Sequence, residues 1–143
     1  MQTRGGVMIT YRTGNDLELT EVIDLYEAST LGAMRPIGDR TRMAAMLKNA
    51  SIVITAWDGS LLVGISRALS DFSYTTYLSD LAVRLSHQCA GIGKEMIRRT
   101  QQAAGPQAYL ILLAAPAAAG YYPHIGFTHH PRAWFLKADE SVQ

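Results

Sequence analysis

The sequence is short of cysteine: Cys89 stands alone among 143 residues. No intramolecular disulfide can form, and this usage fits a reducing cytoplasm. Charge is sparse too. Charged side chains make up 17 % and the formal net charge is only +1. Nucleic acids and anionic membrane surfaces select proteins with a surplus of cations, so neither is expected as a partner. No apolar run reaches the roughly 18 residues of a spanning helix. Met1 to Gly6 lacks the apolar stretch of a signal peptide and reads as a loose leader. What is present is hydrophobic residues at 48 %, enough for a buried core. The length favours one domain spanning residues 1–143.

Apolar spacing sets the expected elements. Val7 to Arg12 alternates as a strand. Leu19, Val22, Ile23 and Tyr26 follow at helical spacing, which predicts a helix over about 16–29 with Asp16 as its cap. Thr30 to Gly38 reads as a loop. Asp39 can cap a second helix carrying Met43, Met46 and Leu47 on one face. Ser51–Trp57 and Leu61–Leu69 are strands joined by a hairpin at Asp58-Gly59. Ser73–Val83 is a long strand, and a helix over 91–104 follows, stopped by Gly105-Pro106. Tyr109–Leu113 reads as a strand covered on both faces. Pro116 opens a short helix ending near His124, and Ala133–Lys137 is a last strand. The order β-α-α-β-β-β-α-β-α-β predicts an α/β (α+β) fold: a mixed, mostly antiparallel central sheet with helices on both faces.

The stretch from Leu81 to Lys94 carries the chemistry. A buried strand passes through a polar break into a helix start marked by Gly91 and Gly93. Such a junction presents unpaired N–H donors at the positive end of a helix dipole, a seat for phosphate. A P-loop needs glycine where Gln88 stands and Ser or Thr where Glu95 stands. A dinucleotide fingerprint needs glycine at Met96. What is left, Gln-x-x-Gly-x-Gly after Leu-Ala-Val, resembles the acetyl-CoA-binding motif of the GCN5-related N-acetyltransferase (GNAT) superfamily. Element order matches that family from about residue 8 to 137.

The resemblance implies a GNAT fold with splayed central strands and acetyl-CoA as acyl donor. Backbone N–H groups of Cys89, Ala90, Gly91, Ile92, Gly93 and Lys94 would surround the pyrophosphate, with Gln88 shaping the loop. Backbone groups of Leu81, Ala82 and Val83 would pair with the pantetheine arm as an added strand. Lys94 adds charge near the 3′-phosphate, while Arg98 and Arg99 suit a solvated helix face. Cys89 lies beside a helix start but lacks a general base aimed at it, so it is not read as a nucleophile.

A second segment, Ala118-Ala119-Gly120-Tyr121-Tyr122-Pro123-His124-Ile125-Gly126-Phe127, resembles the family's alanine–aromatic–tyrosine motif. Tyr122 matches the tyrosine that protonates the departing CoA thiolate, and Tyr121 reads as wall or core. The chain departs from the family at Ala115, where an asparagine is frequent, so anchoring there falls to the backbone. The acceptor amine must lose a proton. The family's base positions correspond to Tyr77 and Ser79, neither a strong base, so proton loss through water is favoured. Asp80 is the nearest carboxylate and is a candidate base if a bulge turns it inward, although a hydrogen-bonded structural role is the favoured reading; Asp71, at a strand end, is a weaker candidate. Alternation places Tyr77, Ser79 and Leu81 on one face, and Tyr74, Thr76, Leu78 and Asp80 on the other. Arg35, in the loop between the first two helices, is a candidate to grip a substrate carboxylate or phosphate. His124, His129 and His130 read as surface residues, and no metal is expected.

The leading function is therefore N-acetyl transfer to a primary amine, most simply of a small molecule, with a protein amine as the other possibility and a homodimer as a possible assembly. The competing function is a CoA-binding sensor or interaction module with little catalysis.

Overall fold

Apolar extended segments within the first 112 residues of the chain build one sheet. The computed structural model describes residues 2–4 and 7–143. Among the described residues the strands are β1 (Gln2–Arg4), β2 (Val7–Thr13), β3 (Ile52–Asp58), β4 (Leu61–Ser70), β5 (Thr75–Val83) and β6 (Tyr109–Leu112). They lie in the order β1-β2-β3-β4-β5-β6. Neighbours pair antiparallel except β5 and β6, which run parallel. Gln2–Arg4, expected to be loose, pairs with β2; Met1, Gly5 and Gly6 of the expected leader lie outside the described residues. The β3–β4 hairpin closes through Gly59-Ser60 between the paired Asp58 and Leu61, where the Asp-Gly signal predicts it.

Two helices cover one face of this sheet. They are α1 (Leu19–Glu27) and α2 (Arg40–Lys48). Val22, Leu25 and Tyr26 of α1 and Met43 and Leu47 of α2 are buried in one cluster with Val53, Trp57, Ile65 and Ala82 of the strands. Asp39 caps α2 as expected, accepting the Arg42 N–H at 3.0 Å. Asp16 does not cap α1: the helix starts later, behind Glu18, with no side-chain cap bond. The opposite face carries α3 (Ile92–Ala104). It packs closely because Gly64 of β4 has no side chain: a Cβ there would stand 2.8 Å from Met96 Cε. The buried Ser66 and Thr100 hydroxyls meet across this contact at 2.7 Å.

Two further expectations fail. Tyr109–Leu112 does form a strand, but Tyr109 and Ile111 are exposed at 60 % and 50 %. β6 ends the sheet order, so its apolar run is not that of a central strand. Ala133–Lys137 forms no strand, and Trp134 and Phe135 are exposed at 95 % and 68 %. A single extended segment does not hold without a partner for its backbone, and Ala-Trp-Phe-Leu-Lys lacks a period of two.

The chain divides into two compact units, Met1–Leu113 and Ala114–Gln143. The second holds a one-turn 3₁₀ segment, Pro116–Ala118, and the short helix α4 (Tyr121–His124). No helix among the described residues is long and apolar enough to cross a membrane.

Candidate functional site

The sheet parts in the middle of β5. Pairing with β6 runs from Thr75↔Tyr109 to Leu78↔Leu112 and stops. Beyond it, β5 continues to Val83 with β4 as its pairing neighbour. The split coincides with a bulge. Arg67 of β4 opposes Asp80, and the next residue, Ala68, opposes Leu78, so Ser79 is the extra residue. An extra residue changes which face the following side chains take.

This corrects the simple alternation expected along the strand. Directly opposed residues share a face. Tyr77 opposes Leu69 and Asp80 opposes Arg67, so both lie on the α1/α2 side; Leu81 opposes Ser66 and lies on the α3 side. Ser79 joins the former group, since its Oγ accepts from Arg67 Nη2 at 2.9 Å. Tyr77, Ser79 and Asp80 thus share one face, and Leu81 leaves it.

Asp80 is the centre of a buried network. Its Oδ2 accepts from Tyr26 Oη and from Arg67 Nε, each at 2.6 Å. Its Oδ1 accepts from Arg35 Nε at 2.6 Å. The Asp80 side chain is fully buried, Arg67 is 8 % exposed and Arg35 21 %. Arg35 also reaches the Ser79 carbonyl through Nη2 and the Met34 carbonyl through Nη1, each at 2.8 Å. Burial pushes the Asp80 carboxyl upward, but hydrogen bonds and charge from Arg67, with help from Tyr26 and Arg35, outweigh it and hold the group below the usual carboxylate range. Burial, and then the neighbouring Asp80 charge, push the Tyr26 phenol up. As a candidate base Asp80 is poorly suited: both oxygens are engaged and its depressed pKa opposes proton uptake. The geometry suits a carboxylate that ties the α1–α2 loop and β4 to the bulge.

The loop after β5 is held from several sides. Arg84 donates through Nε to the Leu62 carbonyl at 2.7 Å and through Nη2 to Asp24 Oδ2 at 2.6 Å. A 3₁₀ turn, Leu85–His87, follows. His87 Nε2 meets Asp58 Oδ2 of the β3–β4 hairpin at 2.8 Å. Gln88 Nε2 donates back to the Val83 carbonyl at 3.1 Å, tying the loop to the end of β5. Cys89 is exposed and takes a left-handed conformation, φ 63°. Gly91 caps α3 at φ 79°, where a Cβ is disfavoured. The first helical bond runs from the Glu95 N–H to the Gly91 carbonyl at 3.1 Å. The N–H groups of Ile92, Gly93 and Lys94 therefore precede the helical ladder at the positive dipole end. Lys94 is exposed. Arg98 and Arg99 both pair with Glu95 on the helix surface. Sequence alone does not single out Arg84 and His87 as anchors, because these partners lie tens of residues away.

In the second unit, Tyr122 of α4 is partly buried between Tyr121 and Phe127, each ring edge-on with centroids 5.4 Å away. Burial first, and then Tyr121, push its phenol up. His124, His129 and His130 are exposed. Among the described residues no three of His, Cys, Asp and Glu converge as metal ligands.

The strand that splays, bulges and runs through a left-handed glycine into a helix start can be set beside known proteins. The acetyltransferase (GNAT) domain family matches residues 49–129. The chain belongs to the GNAT family. Its relatives include an uncharacterized N-acetyltransferase, ycf52, of Pyropia yezoensis. That protein is 30 % identical over 122 residues, covering 76 % of this chain and 67 % of the relative. A GNAT-family acetyltransferase of Streptococcus pneumoniae shares the fold with a TM-score of 0.66 at 24 % identity, over 91 % of this chain and 99 % of that one. An aminoglycoside N-acetyltransferase, AAC(6')-Iy, solved in complex with CoA, gives 0.71 at 16 % identity, over 96 % and 99 %. This GNAT chain is an acyltransferase with acetyl-CoA as its acyl donor. The loop residues fit a pyrophosphate: donors at a helix start, and no Cβ at Gly91 to obstruct it.

Proposed function

We propose that this GNAT chain, acting as one domain over residues 1–143, transfers the acetyl group from acetyl-CoA to a primary amine by direct attack in a ternary complex. The amine belongs to a small molecule or, as the other acceptor class, to a protein. The observation that carries the reading is β5: its pairing with β6 ends at Leu78, and the strand then leads into the Gly91-capped start of α3. Main-chain groups of Leu81, Ala82 and Val83 receive the pantetheine arm as an added strand. N–H groups from Cys89, Ala90, Gly91, Ile92, Gly93 and Lys94 hold the pyrophosphate, with Gln88 fixing the loop.

Tyr77 and Ser79 stand on the acceptor side, and water removes the proton from the ammonium. The amine nitrogen attacks the thioester carbon, the C–S bond breaks, and Tyr122 gives its phenolic proton to the thiolate. A tyrosine phenol, with an ordinary pKa of about 10, is already protonated at neutral pH, as a proton donor requires, and burial shifts it further up. Positioning of amine and thioester supplies most of the acceleration.

Tyr122→Phe tests the assignment by steady-state kinetics with CoA calorimetry. Turnover should fall about 10²-fold, a typical loss for one general acid, with CoA affinity retained. Unchanged turnover would remove Tyr122 from the mechanism. CoA binding with no turnover on any amine would favour the sensor reading instead.

A further inference from the structure

The charges around the β5 bulge do not balance. Asp80 is one carboxylate shared by two guanidiniums, Arg35 and Arg67. Among the described residues no other carboxylate pairs with either. Arg67 alone neutralises Asp80: its Nε lies 2.6 Å from Oδ2, its side chain is 8 % exposed, and Tyr26 completes that oxygen. Arg67 spends Nη1 on the Met46 carbonyl and Nη2 on Ser79 Oγ. The second guanidinium is thus surplus to the needs of the carboxylate. Two guanidiniums on one carboxylate leave the network with a net positive charge, and at its partly exposed end that charge attracts an anion.

Arg35 is the member of the network that a ligand can reach. It comes from the loop between α1 and α2 rather than from the sheet, and its side chain keeps 21 % exposure. Its Nε and Nη2 are pinned to Asp80 and the Ser79 carbonyl, at the point where β5 leaves β6. Three of its N–H donors are engaged. A guanidinium carries about five, so donors remain on its two Nη atoms for a planar anion.

We propose that Arg35 is the acceptor-recognition residue and that the acceptor carries an anionic group, carboxylate or phosphate, beside its amine. This rests on the transferase reading above. The Arg67–Asp80 pair acts as the positioning element that holds the Arg35 guanidinium at the fork. The same surplus of positive charge disfavours polycationic amines, whose ammonium groups it would repel.

Matched acceptors test this with the intact protein and acetyl-CoA, reading CoA release. α-Amino acids are compared with their carboxamides, and aminoethyl phosphate with ethanolamine; spermidine and sisomicin represent polycations. The anionic member of each active pair should win by at least tenfold in kcat/KM. In Arg35→Gln the ratio between members should collapse toward one, mainly through KM for the anionic acceptor. Release with neutral or polycationic amines in preference to their anionic counterparts overturns the proposal while leaving the transferase reading intact. So does an anionic-to-neutral ratio that Arg35→Gln leaves unchanged. Release with no amine at all overturns both. The pairwise comparison in the unsubstituted protein stands even if Arg35→Gln does not fold.

Discussion

Two regions flank the end of β5, and they are built from different materials. The loop from Gln88 to Lys94 offers main chain: a left-handed glycine, a helix start and N–H donors. The cluster at the bulge offers side chains: Tyr26, Arg35, Arg67 and Asp80, drawn from α1, the following loop, β4 and β5. A site made of backbone needs small residues at fixed spacing and tolerates variety elsewhere. A site made of buried charges depends on each partner for the stability of the others. Changes on the donor side should therefore register in CoA binding, and loss of the Asp80 carboxylate at the bulge in folding.

The largest expected effect is at the bulge. Asp80→Asn leaves two arginines without their carboxylate, and breaking a buried pair costs about 3–5 kcal/mol. Urea unfolding should show that loss; a change under about 1 kcal/mol would mean that the network adds little to folding. The same carboxylate governs the acid limb. An unfolded aspartate titrates near pH 4, and the folded Asp80 lies below that. Its contribution is therefore complete above about pH 4 and is lost as pH falls through the folded value. Urea midpoints taken from pH 7 down to pH 3 should fall less steeply in Asp80→Asn than in the parent.

On the donor side, Gly91→Ala places a Cβ at φ 79° and should cost about 1–2 kcal/mol of stability. Its larger signature is a CoA affinity at least tenfold weaker by calorimetry. Equal CoA affinity in the two proteins would end the distinction between the regions. The smallest effect belongs to Gln88→Ala, which loses the bond to the Val83 carbonyl and about 1 kcal/mol. Its CoA off-rate should rise, since the loop is then less fixed.

The contrast in materials also decides what could be read in advance. Gln88, Gly91 and Gly93 stand within six positions of one another, and Gln88, Glu95 and Met96 exclude two other phosphate loops. The sheet, both covering helix layers and the Asp39 cap followed from local periodicity. The bulge did not: Ser79 looks like any alternating residue, and only its register against Arg67 and Ala68 shows it to be extra. The same holds for Asp80, whose partners at positions 26, 35 and 67 are distant in sequence. Ala133–Lys137 erred the other way. Its aromatic, β-prone composition suggests a strand, yet a strand exists only through a neighbour, and composition does not name one.

The parting of β5 from β6 has a further consequence. On the proposed reading, main chain that accepts a pantetheine arm as an added strand would not distinguish it from the extended segment of another polypeptide. Acetyl-CoA would then be a plug as well as a reactant, closing a seam through which copies of the chain could otherwise zip together. Purified protein should scatter more light after CoA is stripped away and less when it is restored, so the supply of the donor would govern the solubility of the enzyme as well as its rate.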